Sequence, residues 1–226
     1  LKVGVLVSGG KDSLYALYLA FQDPNLDVSC LLTILPERED SYMFHHPNAR
    51  LTSLQAEAMS LPLYVKRSSG IKEVELQDLG MLIESAGVDA VVTGALASEY
   101  QRKRMVDICK GRGIVCMSPL WARDPLELWN EELDLGFEVL ITSVSAEGLD
   151  ERWLGRRIDH AGLKELVRLS EKHRFHIGFE GGEAETFVLD MPMFKKRIEV
   201  IEADVEWDGV RGVYIIREAR LVGKSD

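Results

Sequence analysis

Residues Ser8-Gly9-Gly10-Lys11-Asp12-Ser13 bring together the residue types that hold an anion. They follow the apolar run Leu1–Val7 and precede Leu14, Leu17, Tyr18 and Phe21 at helical spacing. A strand feeding a glycine-rich turn that opens a helix aims backbone N–H groups and the positive helix end at one point. That point suits a phosphate. Lys11 in a first helical turn opposes the macrodipole, so a bound anion is expected to accompany it. The bland alternative is a tight turn with a solvated lysine. The spacing is neither that of a Walker P-loop nor G-x-G-x-x-G. A second set, Glu180, Glu183 and Glu185, crowds three carboxylates into six residues around Gly181 and Gly182. Like charges at short range oppose one another's ionisation, and a metal, a cationic ligand or solvent relieves them. An exposed acidic turn ahead of a strand is the competing explanation.

The first run resembles the SGGxDS signature of the N-type ATP pyrophosphatases, members of the PP-loop, or adenine nucleotide alpha hydrolase-like, superfamily. The resemblance implies a loop that grips the terminal two phosphates of ATP, with cleavage between the α and β phosphates. Glu180-Gly181-Gly182-Glu183-Ala184-Glu185-Thr186, followed by an apolar stretch and Pro192, resembles the EGGExET signature of the diphthine–ammonia ligases. These archaeal and eukaryotic enzymes amidate diphthine on translation elongation factor 2. Ala184 stands where an aromatic residue is expected. Ser41-Tyr42-Met43-Phe44-His45-His46-Pro47-Asn48 resembles the family's SYMFH…N loop, and Thr93–Arg104 its TGAIxSxYQxxR segment. The four motifs run in the expected order from residue 8 to residue 190.

The resemblance implies a reaction in two steps. A carboxylate attacks the α-phosphorus to give an acyl-adenylate, and ammonia then displaces AMP. It implies ATP and Mg²⁺ as cofactors, with ammonia and an elongation factor 2 carrying diphthine as partners. Ser8, Gly9, Gly10, Lys11, Asp12 and Ser13 would hold the phosphates. Asp12 is the natural Mg²⁺ ligand, because Mg²⁺ takes one or two carboxylates plus phosphate oxygens; it also favours a helix N-terminus electrostatically. Gly94 would let the backbone approach the α-phosphate or ribose, since no Cβ intervenes. Thr33 and Ile34, at the end of the second strand, would meet the adenine. Arg102 would bind the nucleotide and Arg104 would stabilise charge on the α-phosphate. Both arginines could instead cover a solvated helix face, with Glu99 and Lys103 as an i,i+4 pair. Glu180, Glu183 and Glu185 would bind ammonium, with one of them accepting its proton. Tyr42, His45 and Asn48 would orient the substrate beside Gly181, Gly182 and Thr186. The catalytic set is then Lys11, Asp12, Arg104, Glu183 and Glu185.

These residues need a scaffold, and the first half of the chain supplies an alternating one. Strand candidates are 2–7, 28–35, 62–66, 90–93 and 114–117; helix candidates are 12–22, 48–60, 72–86 and 98–112. The alternation predicts an α/β fold, a doubly wound five-stranded parallel sheet with helices on both faces. Ligands in such sheets meet the carboxyl ends of the strands, where Ser8–Ser13 falls. After Met117 the rhythm changes. A helix over 126–135, a strand over 137–144, a helix over 163–173 and a hairpin of 196–206 with 212–221 around Trp207-Asp208-Gly209 predict a smaller α+β domain. The expected division is 1–120 for ATP and 121–226 for the substrate, with a shared cleft and no flexible hinge.

Composition narrows the class. The chain has 226 residues, 46% hydrophobic and 28% charged, with formal net charge −10. A protein holding a long polyanion normally shows a basic face, so this balance weighs against tRNA. The basic clusters are Arg152, Arg156 and Arg157, with Lys195, Lys196 and Arg197. No apolar run approaches the ~20 residues that span a bilayer, and no basic-then-apolar leader is read; a cytoplasmic protein is expected. Cys30, Cys109 and Cys116, odd in number and in apolar surroundings, read as reduced core thiols. A tRNA-thiolating enzyme and a non-catalytic nucleotide sensor stand as alternatives, and a homo-oligomer is left open. No segment resembles a glutaminase, so free ammonia is the expected donor.

Overall fold

Aliphatic runs too short for helices alternate with amphipathic segments, and the chain folds accordingly. A computed structural model describes residues 1–36, 48–69 and 71–224. Tyr42 and His45 lie outside the described residues; Asn48 lies within them. The chain divides into two units, Leu1–Ala122 and Arg123–Asp226.

In the first unit, β1 (Lys2–Leu6), β2 (Asp27–Pro36), β3 (Leu63–Ser68), β4 (Ala90–Val92) and β5 (Val115–Met117) alternate with α1 (Lys11–Gln22), α2 (Thr52–Met59), α3 (Lys72–Ala86) and α4 (Glu99–Lys110). The strands form one parallel sheet in the order β3-β2-β1-β4-β5. A parallel sheet is covered on both faces, so its strands are apolar on both sides. Along β2, Cys30, Leu32 and Ile34 pack with Leu79 and Ile83 of α3 and Met105 and Cys109 of α4. The alternate residues Leu31 and Thr33, equally buried, therefore face the other way. The segment expected as one helix over 48–60 opens as a 3-10 turn, Ala49–Leu51. There the Thr52 hydroxyl donates to the Ala49 carbonyl at 2.7 Å.

The strand order reverses at β1. Successive strands step from β1 outward to β3, then return to the other side of β1 as β4 and β5. The switch point of the sheet lies between β1 and β4, and two loops meet there. A Cβ built on Gly94, just after β4, would lie 2.7 Å from the Ser13 nitrogen and 2.8 Å from the Asp12 carbonyl carbon. Gly94 was expected to let the backbone approach a nucleotide. What the bare Cα permits in the fold is close packing of the β4 loop on the first turn of α1.

In the second unit, α5 (Pro125–Asp134), β6 (Glu138–Val144), β7 (Arg157–Ile158), α6 (His160–His173), β8 (Ala184–Asp190), β9 (Lys196–Trp207) and β10 (Gly212–Gly223) follow in order. Asp124 caps α5 by accepting from the Leu126 and Glu127 nitrogens, with Pro125 at the first helical position. Asp159 accepts from the Gly162 nitrogen at 2.7 Å and starts α6 three residues before the expected 163. All pairing is antiparallel: β6 pairs with β8 along its length, and with β7 and β10 at separate positions. The β9–β10 hairpin turns where Asp208 accepts from the Val210 and Arg211 nitrogens, with Gly209 at φ +98°. Strand β7, two residues long, is too short to leave a period in the sequence.

Substituting Gly94 by alanine forces its new methyl against rigid backbone. Gly94→Ala is expected to destabilise the chain by about 1–3 kcal/mol, read as a lower midpoint in urea unfolding. An unchanged midpoint would show that the β4 loop does not need this close approach.

Candidate active site

The loop joining β1 to α1 is organised by side chains acting on its backbone. Gly9 has φ +91°, in the left-handed region that favours glycine. The Ser13 hydroxyl donates to the Gly10 carbonyl at 3.0 Å and accepts from the Ser8 nitrogen at 3.2 Å. Ser8 Oγ lies 3.3 Å from Ser13 Oγ and 3.4 Å from the Gly10 nitrogen. Two hydroxyls and two backbone N–H groups thus share one small space ahead of the helix. Thr33 Oγ1 donates to the Val7 carbonyl at 2.8 Å, and Gln55 Nε2 donates to the Gly9 carbonyl at 3.0 Å. Gln55 was not foreseen; a residue 46 positions away on another helix leaves no local signal.

Lys11 is 1% exposed, with its ammonium 2.5 Å from the Asp12 carboxylate. The sequence led us to expect a bound anion beside Lys11; in the structure the neighbouring aspartate is one such partner. The Asp12 side chain keeps 23% of its surface accessible. Among the described residues no group of three or more His, Cys, Asp or Glu could hold a metal unaided. A Mg²⁺ ion fits here as one carried by phosphate oxygens against a single carboxylate.

The remaining nucleotide candidates divide. Thr33 and Ile34 lie inside β2, which continues to Pro36, rather than at its end. Both are 1% exposed, and the Thr33 hydroxyl is spent on Val7. Arg102 and Arg104, two positions apart on a helix, diverge by about 200°. Arg102, in the first turn of α4, stacks over Trp121 at 4.5 Å and meets Glu99 at 4.0 Å. The expected Glu99–Lys103 pair is thus replaced by an i,i+3 contact. Arg104 lies over the Tyr100 ring and donates to its hydroxyl. Asn48 is buried at 2% exposure, and its carbonyl accepts from Leu51. A cavity lined by Leu1, Asp89, Arg112 and Val115 flanks the starts of β1, β4 and β5, away from the loop ends where ligands bind such sheets.

Cys109 belongs to the core cluster under β2, and Cys116 packs against that cluster. The neighbouring Cys116 and burial push the Cys109 thiol far up. The neighbouring Cys109, helped by the Arg102 charge, brings Cys116 below the ordinary thiol value.

In the second unit the acidic run forms a tight loop before β8. Phe179 holds φ +62°, unusual for a bulky side chain. Its ring is anchored edge-on against Trp129 at 6.0 Å and near Phe175 at 6.5 Å. The Trp129 indole in turn donates to the Ile177 carbonyl at 2.9 Å. The Glu183 carboxylate accepts from the Gly181 nitrogen at 2.7 Å and the His176 nitrogen at 3.1 Å. Ser145 fastens the same turn, donating to the Gly182 carbonyl at 2.6 Å and, through its nitrogen, to the Glu183 carbonyl at 2.8 Å. Glu183 therefore shapes the loop, a duty its charge alone did not reveal. Glu180 and Glu185 are partly exposed, Gly181 and Gly182 exposed, and Thr186 and Ala184 buried in β8. The basic run nearby is locally paired: Arg152 with Asp150, Arg156 with Glu165, Arg157 with Glu138.

Residues 1–116 match the model of the diphthamide synthase N-terminal domain, and residues 124–222 that of the diphthamide synthase C-terminal domain. The chain belongs to the diphthamide synthase family. It is similar to the diphthine–ammonia ligase of Homo sapiens, at 34% identity over 91% of this chain and 85% of that protein. The mouse (Mus musculus) diphthine–ammonia ligase is 33% identical over 98% of this chain and 92% of its own length. The Saccharomyces cerevisiae protein of that name is 31% identical over 86% of this chain and 34% of its own, longer chain. The stretch between the two matched regions, residues 117–123, contains the division between Ala122 and Arg123.

The thiol pair yields a pH-dependent test. A lowered Cys116 pKa means more thiolate near neutrality than in a free cysteine, while Cys109 stays a protonated, fully buried thiol. Iodoacetamide should label Cys116 first, at a rate that rises with pH through the neutral range. Arg102→Ala should slow that labelling. Faster labelling of Cys109 in the folded chain, seen by peptide mass spectrometry, would contradict this.

Proposed function

We propose that this chain is an ATP-dependent diphthine–ammonia ligase acting in the cytoplasm on elongation factor 2. The observation that carries the reading is the Ser8–Ser13 loop. It stands at the switch point of a parallel sheet, with Lys11 and a helix N-terminus behind it, in a member of the diphthamide synthase family.

A diphthine carboxylate oxygen attacks the α-phosphorus of ATP, and the bond to the α–β bridging oxygen breaks. Pyrophosphate leaves. Ammonia then attacks the acyl carbon, AMP departs, and the nitrogen loses a proton. Ser8, Gly9, Gly10, Lys11 and Ser13 would hold the two departing phosphates. Asp12 would take the Mg²⁺ that spreads their charge. Placed donors of this kind are worth most where charge develops on the leaving group.

Arg102 and Arg104 keep the expected roles toward the nucleotide and its α-phosphate, each having first to leave its present neighbours, Trp121 and Glu99 for Arg102 and Tyr100 for Arg104. Gly94 and the β2 backbone at Ile34 would border the nucleotide. Glu180 would attract ammonium, and Glu185 rather than Glu183 would accept its proton, since Glu183 spends its carboxylate on the loop backbone. Tyr42, His45, Asn48, Gly181, Gly182 and Thr186 keep the orienting role that the motifs imply. The N-terminal unit then handles ATP, and the C-terminal unit the acceptor and ammonia. A folded protein substrate accords with an acidic chain better than a nucleic acid does. A homo-oligomer is compatible with all of this.

The test is turnover. Incubated with elongation factor 2 bearing diphthine, ATP, Mg²⁺ and ammonium, the chain should form AMP and pyrophosphate in step with the amide. Release of ADP and orthophosphate would defeat the reading, and no turnover at all would favour a nucleotide sensor. Lys11→Ala should lower AMP formation by about 10²–10³-fold.

A further inference from the structure

A glycine-rich loop binds an anion only if its peptide dipoles agree. Each peptide carries a carbonyl opposite its N–H, since the bond is planar and trans. A loop of three or four residues with mobile peptides would turn carbonyls as readily as N–H groups toward a phosphate. In this chain three carbonyls of the loop are tied. The Val7 carbonyl accepts from Thr33 Oγ1, the Gly9 carbonyl from Gln55 Nε2, and the Gly10 carbonyl from Ser13 Oγ. Two of the three tethers come from outside the motif, one from β2 and one from α2.

The consequence for the N–H groups is direct. Drawing the Gly9 carbonyl to Gln55 turns the Gly10 N–H the opposite way, toward Ser8 Oγ at 3.4 Å. Drawing the Val7 carbonyl to Thr33 turns the Ser8 N–H toward Ser13 Oγ at 3.2 Å. Both amides then face the same two hydroxyls. Gln55 and Thr33 are each 1% exposed, so neither hydrogen bond is diluted by competing water.

We infer that Gln55, with Thr33, is a positioning residue for phosphate: it sets the direction of the loop peptides without touching the nucleotide. The inference rests on the reading of this loop as the ATP phosphate site and adds residues that no motif contains. It also reassigns Thr33, expected to meet the adenine, to the phosphate end of the ligand.

Binding of ATP and of adenosine, measured by calorimetry on the full chain, separates the alternatives. Gln55→Met keeps the volume and removes the donor. It should weaken ATP binding about tenfold, the loss expected for one buried hydrogen bond, and leave adenosine binding unchanged. Thr33→Val should behave likewise, and Thr33→Ser, which keeps the hydroxyl, should restore ATP affinity. The Thr33 pair decides the matter if Gln55→Met does not fold. Equal losses for ATP and adenosine, or no loss for either, would overturn the positioning role while the phosphate site stands. A wild-type chain that binds adenosine but gains nothing from the triphosphate would overturn the phosphate site and this inference together.

Discussion

A lysine buried to 1% exposure at the first position of a helix is the constraint around which the first unit is arranged. An ammonium removed from water is costly unless anions and hydrogen-bond acceptors replace its hydration. The helix end behind it is itself positive, so the position is doubly unfavourable for a cation. Asp12 offsets part of that cost at 2.5 Å. A phosphate tail docking at the same helix mouth would add further negative charge, which is why the arrangement suits ATP better than any neutral ligand. The packing of Gly94 against Ser13 and the reach of Gln55 and Thr33 to the loop all hold the backbone next to this one charge.

The acidic loop of the second unit meets the opposite problem by a related device. Three carboxylates must share a short turn, and one of them is used to build it: Glu183 closes the loop on the Gly181 and His176 amides. The Phe179 backbone is held in a sparsely populated conformation by its aromatic neighbours Trp129 and Phe175. Such conformations persist only where surrounding packing over-determines them. Glu180 and Glu185 flank this rigid turn, one in the loop and one in β8. Spending the Glu183 carboxylate on two backbone N–H groups offsets part of the repulsion within the cluster.

Much of the fold was legible because its signals are local. Short aliphatic runs and helical apolar spacing each act within a few residues, so the order of strands and helices follows from the chain itself. The doubly wound sheet and the hairpin at Asp208-Gly209 were legible for the same reason. The division of α2 from its 3-10 turn, the early start of α6 at the Asp159 cap and the brief strand β7 were less so. These depend on one or two hydrogen bonds rather than on a repeating pattern. The glutamate roles show the limit most clearly. Three acidic residues look alike in sequence, and only the fold distinguishes the one that folds back on its own loop.

By itself the sequence determined the chemistry on offer: a glycine-rich loop with Lys11 and Asp12, an acidic turn with Glu180, Glu183 and Glu185, and the alternation that places the first at the end of a strand. Residue type, spacing and periodicity suffice for that, since each is a property of neighbours along the chain. Tertiary structure alone decided which groups act on which. It joined Gln55 to Gly9, packed Cys116 against the core cluster that holds Cys109, set Gly94 against α1, and turned Arg104 to Tyr100 and Arg102 to Trp121. The physical reason is that the directions of peptide dipoles and side chains are settled by hydrogen bonds and packing between segments distant in sequence, where no local pattern records them.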